Sequence, residues 1–320
     1  MPQNFILRSG DEFRIVAPSD SWKNEKVVTY KKAAERLIQA GYRVTYGHNV
    51  KSQDYLGTAS AQLRADDLNN AFRDENVKVI MALHGGFFEN EILPLLDWDM
   101  IKEHPKPFVG YSDNTVLVNA LFAKTGEANY LGPNFGTLGY ENGWEYGFTT
   151  LLKILKSDRP VQLIHNPEWY ENDIRYTAAP WDVVQAGMAN AVLLGGNSQS
   201  FYLLQGTEYQ PDLNTNFILA LEADELAGEY TLHEVTRSLE SILQLPGARE
   251  HISGIFFGRF KSSSKVTDTD LAKIIREKWF GNIPVISNLD FGHTTPIATL
   301  PIGGMVKIEA QDNQVTIEFA

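Results

Sequence analysis

The sequence predicts an α/β protein whose strands are mostly parallel. Short apolar runs alternate with amphipathic segments that place apolar residues at helical spacing. A strand, a helix and a second strand in succession require a right-handed crossover, which makes the two strands parallel. The composition changes near residue 155, and the alternation then starts again. We therefore expect two α/β lobes with a cleft between them, and ligands at the carboxyl ends of the strands.

The elements of the first lobe follow from periodicity and from capping residues. Strands are predicted at residues 13–18, 42–46, 77–83 and 108–110, and helices at 25–40, after Ser60, and at 90–96. Ser60 is a suitable N-cap. The residues of its helix that are expected to face inward are Leu63, Leu68, Ala71 and Phe72. Turns at 18–21, 84–91 and 111–114 follow strand ends and are candidate ligand-binding turns.

A polar and aromatic segment separates the two lobes. Residues 156–180 lack a clear period, so we expect them to form a linker or lid between a domain of residues 1–155 and one of residues 181–320. The elements predicted beyond it are strands at 217–221, 252–257 and 285–289, helices at 232–245 and 268–279, and a hairpin of 305–310 with 315–319.

Charge and composition exclude several classes of function. The net charge of −12 argues against nucleic acid or an anionic membrane surface as the main partner. The chain has no cysteine, which excludes disulfides, a thiolate nucleophile and a cysteine-ligated metal. No apolar run is long enough to span a bilayer, and the first residues lack the apolar core of a signal peptide. We expect a cytoplasmic protein.

The most informative turn contains Ser112. The predicted strand ends at Gly110, and an amphipathic segment begins after Asp113, which indicates a strand, a tight turn and a helix. Such a turn exposes the serine hydroxyl and places backbone N–H groups at a helix N-terminus, where an anion is stabilised. Ser112 is therefore a candidate nucleophile. The alternative is that Ser112 and Asp113 only cap the helix.

A nucleophilic serine needs a base, and the base needs an acid. Of the seven histidines, His84 and His293 follow apolar strands, and His293 lies in a glycine-containing turn. Glu222 ends the predicted strand 217–221 and is a candidate partner that orients the imidazole. The alternatives are a structural histidine and a solvated or capping carboxylate. The turn lacks the G-x-S-x-G pattern, so an ordinary α/β-hydrolase is not supported.

The Gly85-Gly86 pair follows an apolar strand and allows the backbone to approach a ligand closely. The backbone N–H groups of Gly86 and Asp113 are candidates for an oxyanion hole, which would contribute a few kcal/mol to transition-state stabilisation. The alternative is a plain tight turn. Acyl transfer through such a site requires no metal and no organic cofactor.

Together these segments resemble the LD-carboxypeptidase family of serine peptidases. The similar segments follow one order over nearly the whole chain and are residues 79–86, 90–97, 110–115, 195–197, 221–222, 254–260 and 290–294. The resemblance implies a Ser-Glu-His triad of Ser112, Glu222 and His293. It also implies an N-terminal parallel-sheet (Rossmann- or flavodoxin-like) domain with the nucleophile, a smaller C-terminal α/β domain with a mixed sheet that supplies the acid and the base, and possible homodimers.

Within that family, residues 238–247 and 257–261 look closer to the microcin C immunity branch than to the murein-tetrapeptide branch. The first branch cleaves the amide of peptidyl or aminoacyl nucleotides, and the second removes a terminal D-alanine. The acidic residues after Glu222 also depart from the murein pattern. The resemblance therefore implies a small peptide or a peptidyl or aminoacyl nucleotide as substrate.

Four residues are candidate substrate contacts. Phe87 and Asn90 follow the glycine pair, while Trp169 and Trp181 lie in or beside the segment predicted as a lid. A flat aromatic side chain in a lid can stack on a nucleobase. The alternative for both tryptophans is packing in the core.

Two functions of other classes compete with the hydrolase. A two-lobed protein that binds small molecules without catalysis would share the architecture. A nucleotide-binding Rossmann enzyme would need a glycine-rich fingerprint after the first strand, and residues 17–20 contain none.

Overall fold

The computed structural model describes residues 5–171, 173–278, 281–312 and 314–320. Two of the predicted elements reach beyond these ranges. Trp279, at the end of the predicted helix 268–279, and Asn313, in the turn of the predicted hairpin, lie outside the described residues.

The first sheet has six strands. In chain order they are β1 (Glu12–Val16), β2 (Arg43–Tyr46), β3 (Val77–Ala82), β4 (Phe108–Gly110), β5 (Asn129–Leu131) and β14 (Leu300–Ile302). Their spatial order is β14-β5-β4-β3-β1-β2. The strands β1 to β5 pair in parallel, whereas β14 is antiparallel to β5. The predicted parallel sheet is confirmed, and its last strand comes from the segment assigned to the second domain.

The helices of this lobe are α1 (Val27–Gln39), α2 (Ala61–Arg73), α3 (Trp98–Glu103), α4 (Thr115–Thr125) and α5 (Trp144–Lys156). The predicted N-cap of α2 is confirmed, since Ser60 accepts a hydrogen bond from the backbone N–H of Leu63. The inward placement of Leu63 is wrong, because its side chain is 37% exposed. Leu63 lies five residues before the buried Leu68, roughly 140° around the helix, and the buried Arg64 occupies the inner face instead.

Two of the predicted helices take a tighter form. Residues Asn24–Lys26 form a 3₁₀ helix that precedes α1, and this helix includes the first two residues of the predicted helix 25–40. The predicted helix 90–96 is a 3₁₀ helix at Glu89–Leu95, which contains Pro94. Proline has no backbone N–H to donate, and short 3₁₀ helices tolerate such gaps better than a long α-helix.

The second sheet has eight strands and is mixed, as predicted. In chain order they are β6 (Val161–Gln162), β9 (Asp182–Gln185), β10 (Gly187–Asn197), β11 (Phe217–Glu222), β12 (Ile252–Gly258), β13 (Val285–Leu289), β15 (Met305–Gln311) and β16 (Gln314–Phe319). Their spatial order is β6-β16-β15-β10-β11-β12-β13-β9. The central strands β10 to β13 are parallel. The accompanying helices are α6 (Ser198–Tyr202), α7 (Thr231–Leu243), α8 (Ala248–His251) and α9 (Asp268–Lys278).

The segment between the lobes contains ordered strands. Val161–Gln162 joins the second sheet beside β16, and β7 (Glu168–Glu171) pairs with β8 (Ile174–Thr177) in a separate hairpin. The backbone N–H of Tyr170 donates to the carbonyl of Thr295 at 2.6 Å, and the N–H of Thr295 returns a bond at 3.1 Å. The hairpin is therefore attached to the loop that carries His293.

In the parts of the chain that the structure describes, every helix is too short or too polar to cross a bilayer.

Candidate active site

The predicted strand, turn and helix around Ser112 are present. The strand β4 ends at Gly110, a 3₁₀ turn covers Ser112–Asn114, and α4 follows. Ser112 has φ +67°, a left-handed conformation that costs a residue with a side chain about 1–2 kcal/mol. The side chain of Asn114 holds this turn, because its Nδ2 donates to the carbonyl of Tyr111 at 2.9 Å. Neither Ser112 nor Asp113 caps the helix through its side chain.

The structure brings Ser112, His293 and Glu222 into one hydrogen-bonded chain. His293 Nε2 lies 2.9 Å from Ser112 Oγ, and His293 Nδ1 lies 2.7 Å from Glu222 Oε2. Glu222 ends β11 and is buried, so its carboxylate holds the imidazole from the interior. Because the carboxylate accepts from Nδ1–H, the neutral imidazole carries its free lone pair on Nε2, facing the serine hydroxyl.

The charge around His293 favours its protonated form. Burial of the ring lowers its pKa, but the Glu222 carboxylate, through its charge and its hydrogen bond, and the charges of Asp224 and Glu225 outweigh burial. The pKa of His293 therefore lies above its ordinary value. A base with a raised pKa accepts a proton more readily, and it must first lose its resting proton as the pH rises.

We expect Asp224→Asn to move the acidic limb of the pH–rate profile to lower pH. The carboxylate raises the pKa of His293, and Asn keeps an oxygen that can accept from the Leu226 N–H, a bond of 2.9 Å in this structure. Removing the charge lowers the pKa, so the imidazole becomes neutral at a lower pH. The measurement is kcat/KM against pH.

Asp212→Asn is the control for this change. Asp212 makes the same kind of turn, accepting from the backbone N–H of Asn214 at 3.0 Å, and it is not among the groups that act on His293. An unchanged limb in Asp224→Asn would contradict the electrostatic account.

His84, the other histidine at a strand end, is not placed to act as a base. Its Nε2 is hydrogen-bonded to the hydroxyl of the buried Tyr30. Burial and the charges of Lys26 and Lys23 lower the pKa of His84 to about 3, so its ring is neutral at physiological pH. Its ring lies against Gly136, where a Cβ would be 2.5 Å from His84 Cε1.

Gly85, the first residue of the glycine pair, lies directly against Ser112. A Cβ on Gly85 would be 2.7 Å from Ser112 Cβ and 3.3 Å from the Asp113 nitrogen. Gly86 has φ +153°, and a Cβ there would collide with Asp20 and Ser19. Among the described residues the Gly86 N–H donates to no group, and Asp113 lies in a first helical turn, where N–H groups lack an internal acceptor. In the described part of the chain both N–H groups are therefore without a protein acceptor.

The four candidate substrate contacts differ in exposure. Phe87 directly follows the glycine pair and is 64% exposed, and Asn90 is exposed in the 3₁₀ helix Glu89–Leu95. Trp181 is 7% exposed, and its indole N–H donates to Asp290 Oδ2 at 3.0 Å, so it packs beneath the His293 loop. Trp169 is half-buried and stacks on Tyr176 with ring centroids 4.5 Å apart.

Trp169 lines a cavity of about 430 Å³ whose lining residues do not include Ser112, Glu222 or His293. Its other lining residues include Gly258, Arg259 and Lys261. A Cβ on Gly258 would be 3.0 Å from Glu222 Cβ, which places this cavity beside the strand end that carries the acid. Trp169 borders this cavity, with Tyr176 stacked on its ring and the Arg259 guanidinium carbon 5.7 Å from its centroid, whereas Trp181 is not among the lining residues.

Sequence reasoning missed a buried ion pair that supports the His293 loop. Asp290 Oδ1 accepts from Arg259 Nη2 at 2.8 Å, and both side chains are buried. Asp290 Oδ2 accepts from the backbone N–H of Asn166 at 3.0 Å. Tyr111 adds an edge-on contact, with its ring centroid 5.5 Å from that of His293. The signal in the sequence is a charged residue directly after each of two apolar strands.

Within the four described ranges, no group of three or more His, Asp or Glu side chains is disposed to hold a metal ion.

The fold and the matches to known proteins define this chain as a peptidase. Residues 13–132 match the model of the LD-carboxypeptidase N-terminal domain, and residues 190–308 match that of the C-terminal domain. YocD of Bacillus subtilis (strain 168) is 40% identical over 316 residues, which is 95% of each chain. The chain therefore belongs to the LD-carboxypeptidase family.

Solved structures share the whole fold. An MccF-like protein from Bacillus anthracis str. Ames superposes with a TM-score of 0.94 at 36% identity, over 98% of each chain. A structure of MccF in complex with glutamyl sulfamoyl guanosine superposes with a TM-score of 0.86 at 24% identity, over 99% of this chain and 98% of that one. At that identity the second likeness concerns the fold alone.

Proposed function

We propose that this protein is a serine-type amidohydrolase of the microcin C immunity-like branch, which cleaves an amide through an acyl-enzyme. The observation that carries the proposal is the hydrogen-bonded chain from Ser112 Oγ through His293 to Glu222, with free backbone N–H groups beside it. A nucleophile, an oriented base and a site for the oxyanion are the parts that acyl transfer needs.

The first half of the reaction forms an ester on Ser112. The hydroxyl oxygen attacks the carbonyl carbon of the amide while His293 Nε2 takes the hydroxyl proton. The carbonyl electrons move to oxygen, and the N–H groups of Gly86 and Asp113 hold the resulting oxyanion. Glu222 stabilises the imidazolium. The C–N bond then breaks as His293 returns the proton to the leaving nitrogen, which leaves an acyl-enzyme and a free amine.

The second half restores the enzyme. His293, again neutral, removes a proton from a water molecule that attacks the ester carbon, and the oxyanion forms in the same place. The Ser112 oxygen leaves with the proton from His293, and the product is a carboxylic acid. Every proton in this cycle is moved by His293, so no metal or organic cofactor takes part.

Two features favour the nucleotide substrate over the murein tetrapeptide. The MccF-like protein from Bacillus anthracis str. Ames is 36% identical over 98% of this chain. The cavity of about 430 Å³ that Trp169 borders offers an aromatic side chain against which a nucleobase can pack. Release of D-alanine from a murein tetrapeptide is the alternative activity. A binding protein without catalysis has no need of an oriented Ser-His-Glu chain. The homodimer stays a prediction.

The test is a mass-spectrometric cleavage assay with two substrates side by side, an aminoacyl sulfamoyl adenosine and a murein tetrapeptide ending in D-alanine. Release of the free amino acid from the nucleoside is the expected result. Release of D-alanine alone would assign the protein to the murein activity. Tight binding of either compound without any cleavage would overturn the hydrolase and favour the binding protein.

We expect Trp169→Ala to raise the KM for the aminoacyl nucleoside about tenfold or more and to change kcat little. Stacking of a base on an aromatic ring contributes about 1–3 kcal/mol, and the ring does not touch the triad. Steady-state kinetics with the nucleoside substrate measure this. Trp144→Ala is the control, since that ring packs under Arg36 with the guanidinium carbon 3.7 Å from its centroid. Equal KM values in the two variants would rule out a role for Trp169.

A further inference from the structure

Two side chains directly after the nucleophile bracket the loop that carries Gly86. Asn114 Nδ2 donates to the carbonyl of His84 at 2.9 Å, at the start of this loop. Asp113 Oδ2 accepts from the backbone N–H of Glu89 at 3.0 Å, at its end. Between these two bonds lies the glycine pair. Two hydrogen bonds thus connect the turn that carries the Asp113 N–H to the loop that carries the Gly86 N–H.

We infer that the Asp113 side chain is a positioning residue, whose oxygen fixes the Gly86 loop against the nucleophile turn and sets the separation of the two oxyanion donors. This inference rests on the proposed function, because the donors matter only if an oxyanion forms on Ser112. It concerns the side chain of Asp113, which is separate from the contribution of its backbone N–H.

Ser19 completes the attachment. Its hydroxyl donates to Asp113 Oδ2 at 2.5 Å, and Ser19 Oγ accepts from the backbone N–H of Phe88 at 3.2 Å. Successive N–H groups of the loop, on Phe88 and Glu89, are therefore held by Ser19 and Asp113. Both side chains are buried, where hydrogen bonds are shielded from water and the loss of a partner is costly.

The loop needs such external support because its own backbone is permissive. Two consecutive glycines have wide conformational freedom, and Gly86 adopts a φ of +153°. A glycine pair of this kind does not hold an N–H at a fixed place by itself. Preorganised donors accelerate a reaction only if they already point at the oxyanion, so a loosened loop would lose part of their effect.

A neighbouring carboxyl group bears on the charge of Asp113. The carboxyl of Glu89 is fully buried, and neither of its oxygens has a hydrogen-bond partner among the described residues. Burial and the charge of Asp113 raise the pKa of Glu89 well above its usual range. The Asp113 side chain, with donors from Ser19 and the loop, therefore lies near a carboxyl whose uncharged form is favoured.

Removal of Asp113 is expected to loosen the loop without unfolding the lobe. Arg64 Nη1 donates to the carbonyls of Phe88 and Pro18, each at 2.7 Å, and Arg64 Nε donates to the carbonyl of Ala59 at 2.9 Å. This buried guanidinium ties the base of the loop to two other segments. The loop therefore keeps its place in the fold when the Asp113 contact is lost.

The experiment compares Asp113→Ala, Asp113→Asn and the control Asp67→Ala by kinetics. Asp67 is a buried carboxyl of the same lobe that also accepts from a loop N–H, that of Asn49 at 2.8 Å. We expect Asp113→Ala to lower kcat about tenfold or more with KM within about twofold, since the loss falls on the transition state. Asp113→Asn keeps an acceptor oxygen for Ser19 and Glu89 and should recover most of the rate. Asp67→Ala should keep kcat.

Amide hydrogen exchange gives a second readout that needs no turnover. We expect faster exchange at Phe88 and Glu89 in Asp113→Ala, and unchanged exchange there in Asp67→Ala. Exchange and kcat in Asp113→Ala that match those of Asp67→Ala would overturn the inference. An Asp113→Asn variant as slow as Asp113→Ala would do the same, because it would assign the effect to charge. If the wild type cleaves neither substrate, the proposed function fails, and exchange still decides whether Asp113 holds the loop.

Discussion

Replacement of Ser112 by alanine is expected to abolish turnover by about a thousandfold or more and to leave the protein folded. Alanine has no oxygen to form the acyl bond, so only the weak catalysis of the remaining site persists. The hydroxyl makes one side-chain hydrogen bond in the described structure, to His293, and the backbone strain at φ +67° is the same for alanine. Its loss should therefore cost little stability.

The measurements are kcat for the better of the two substrates and the midpoint of thermal unfolding. Ser157→Ala serves as the control, because that hydroxyl also makes a local bond, to the carbonyl of Arg159 at 2.8 Å, but lies in a loop after α5. Turnover in Ser112→Ala above about a tenth of the wild-type rate would exclude Ser112 as the nucleophile.

Glu222→Gln is expected to lower kcat about a thousandfold while the site keeps its shape. The buried Glu222 carboxylate can only accept a hydrogen bond, and its Oε2 lies 2.7 Å from His293 Nδ1. The imidazole proton is therefore held on Nδ1, and Nε2 is free to accept the Ser112 proton. A glutamine amide can donate to Nδ1 instead and so favour the tautomer with the proton on Nε2, which cannot take a proton from serine. The amide also carries no charge to stabilise the imidazolium.

A double variant separates this account from a general disturbance of the site. If Glu222 acts only through His293, Glu222→Gln adds little to the loss already caused by His293→Ala. Rate constants of the two single variants and of the double variant give the coupling. If the fold-losses in rate of the two single variants multiply in the double variant, Glu222 acts on the substrate by a route separate from His293.

Much of the site follows from topology that the sequence reveals. Ser112, Glu222 and His293 each follow an apolar run, and parallel strands bring their carboxyl ends to one edge of a sheet. In the structure, residues that follow strands of both sheets meet at the site. The composition change near residue 155 predicts the two lobes to which these sheets belong. Local patterns therefore predict which turns meet. The distances within the triad depend on how the two sheets pack, which no local pattern contains.

The wrong and the missing predictions also arise from contacts between segments distant in sequence. Arg64 replaces Leu63 on the inner face of α2 because three backbone carbonyls from other segments surround its guanidinium. The strand β10 is absent from the prediction because its glycines and alanines give a weak strand signal, although most of its second half is buried. In each case a contact distant in sequence decides the local structure.

The return of the chain to the first sheet at Leu300–Ile302 has a consequence for biosynthesis. The ribosome releases β5 long before the strand that covers it, so a nascent chain carries an open edge and a serine without its histidine. The chain therefore gains His293 and the strand that covers the edge of β5 at nearly the same time, late in translation. A product that terminates before residue 300 is expected to aggregate, so it contributes little hydrolase to the cell.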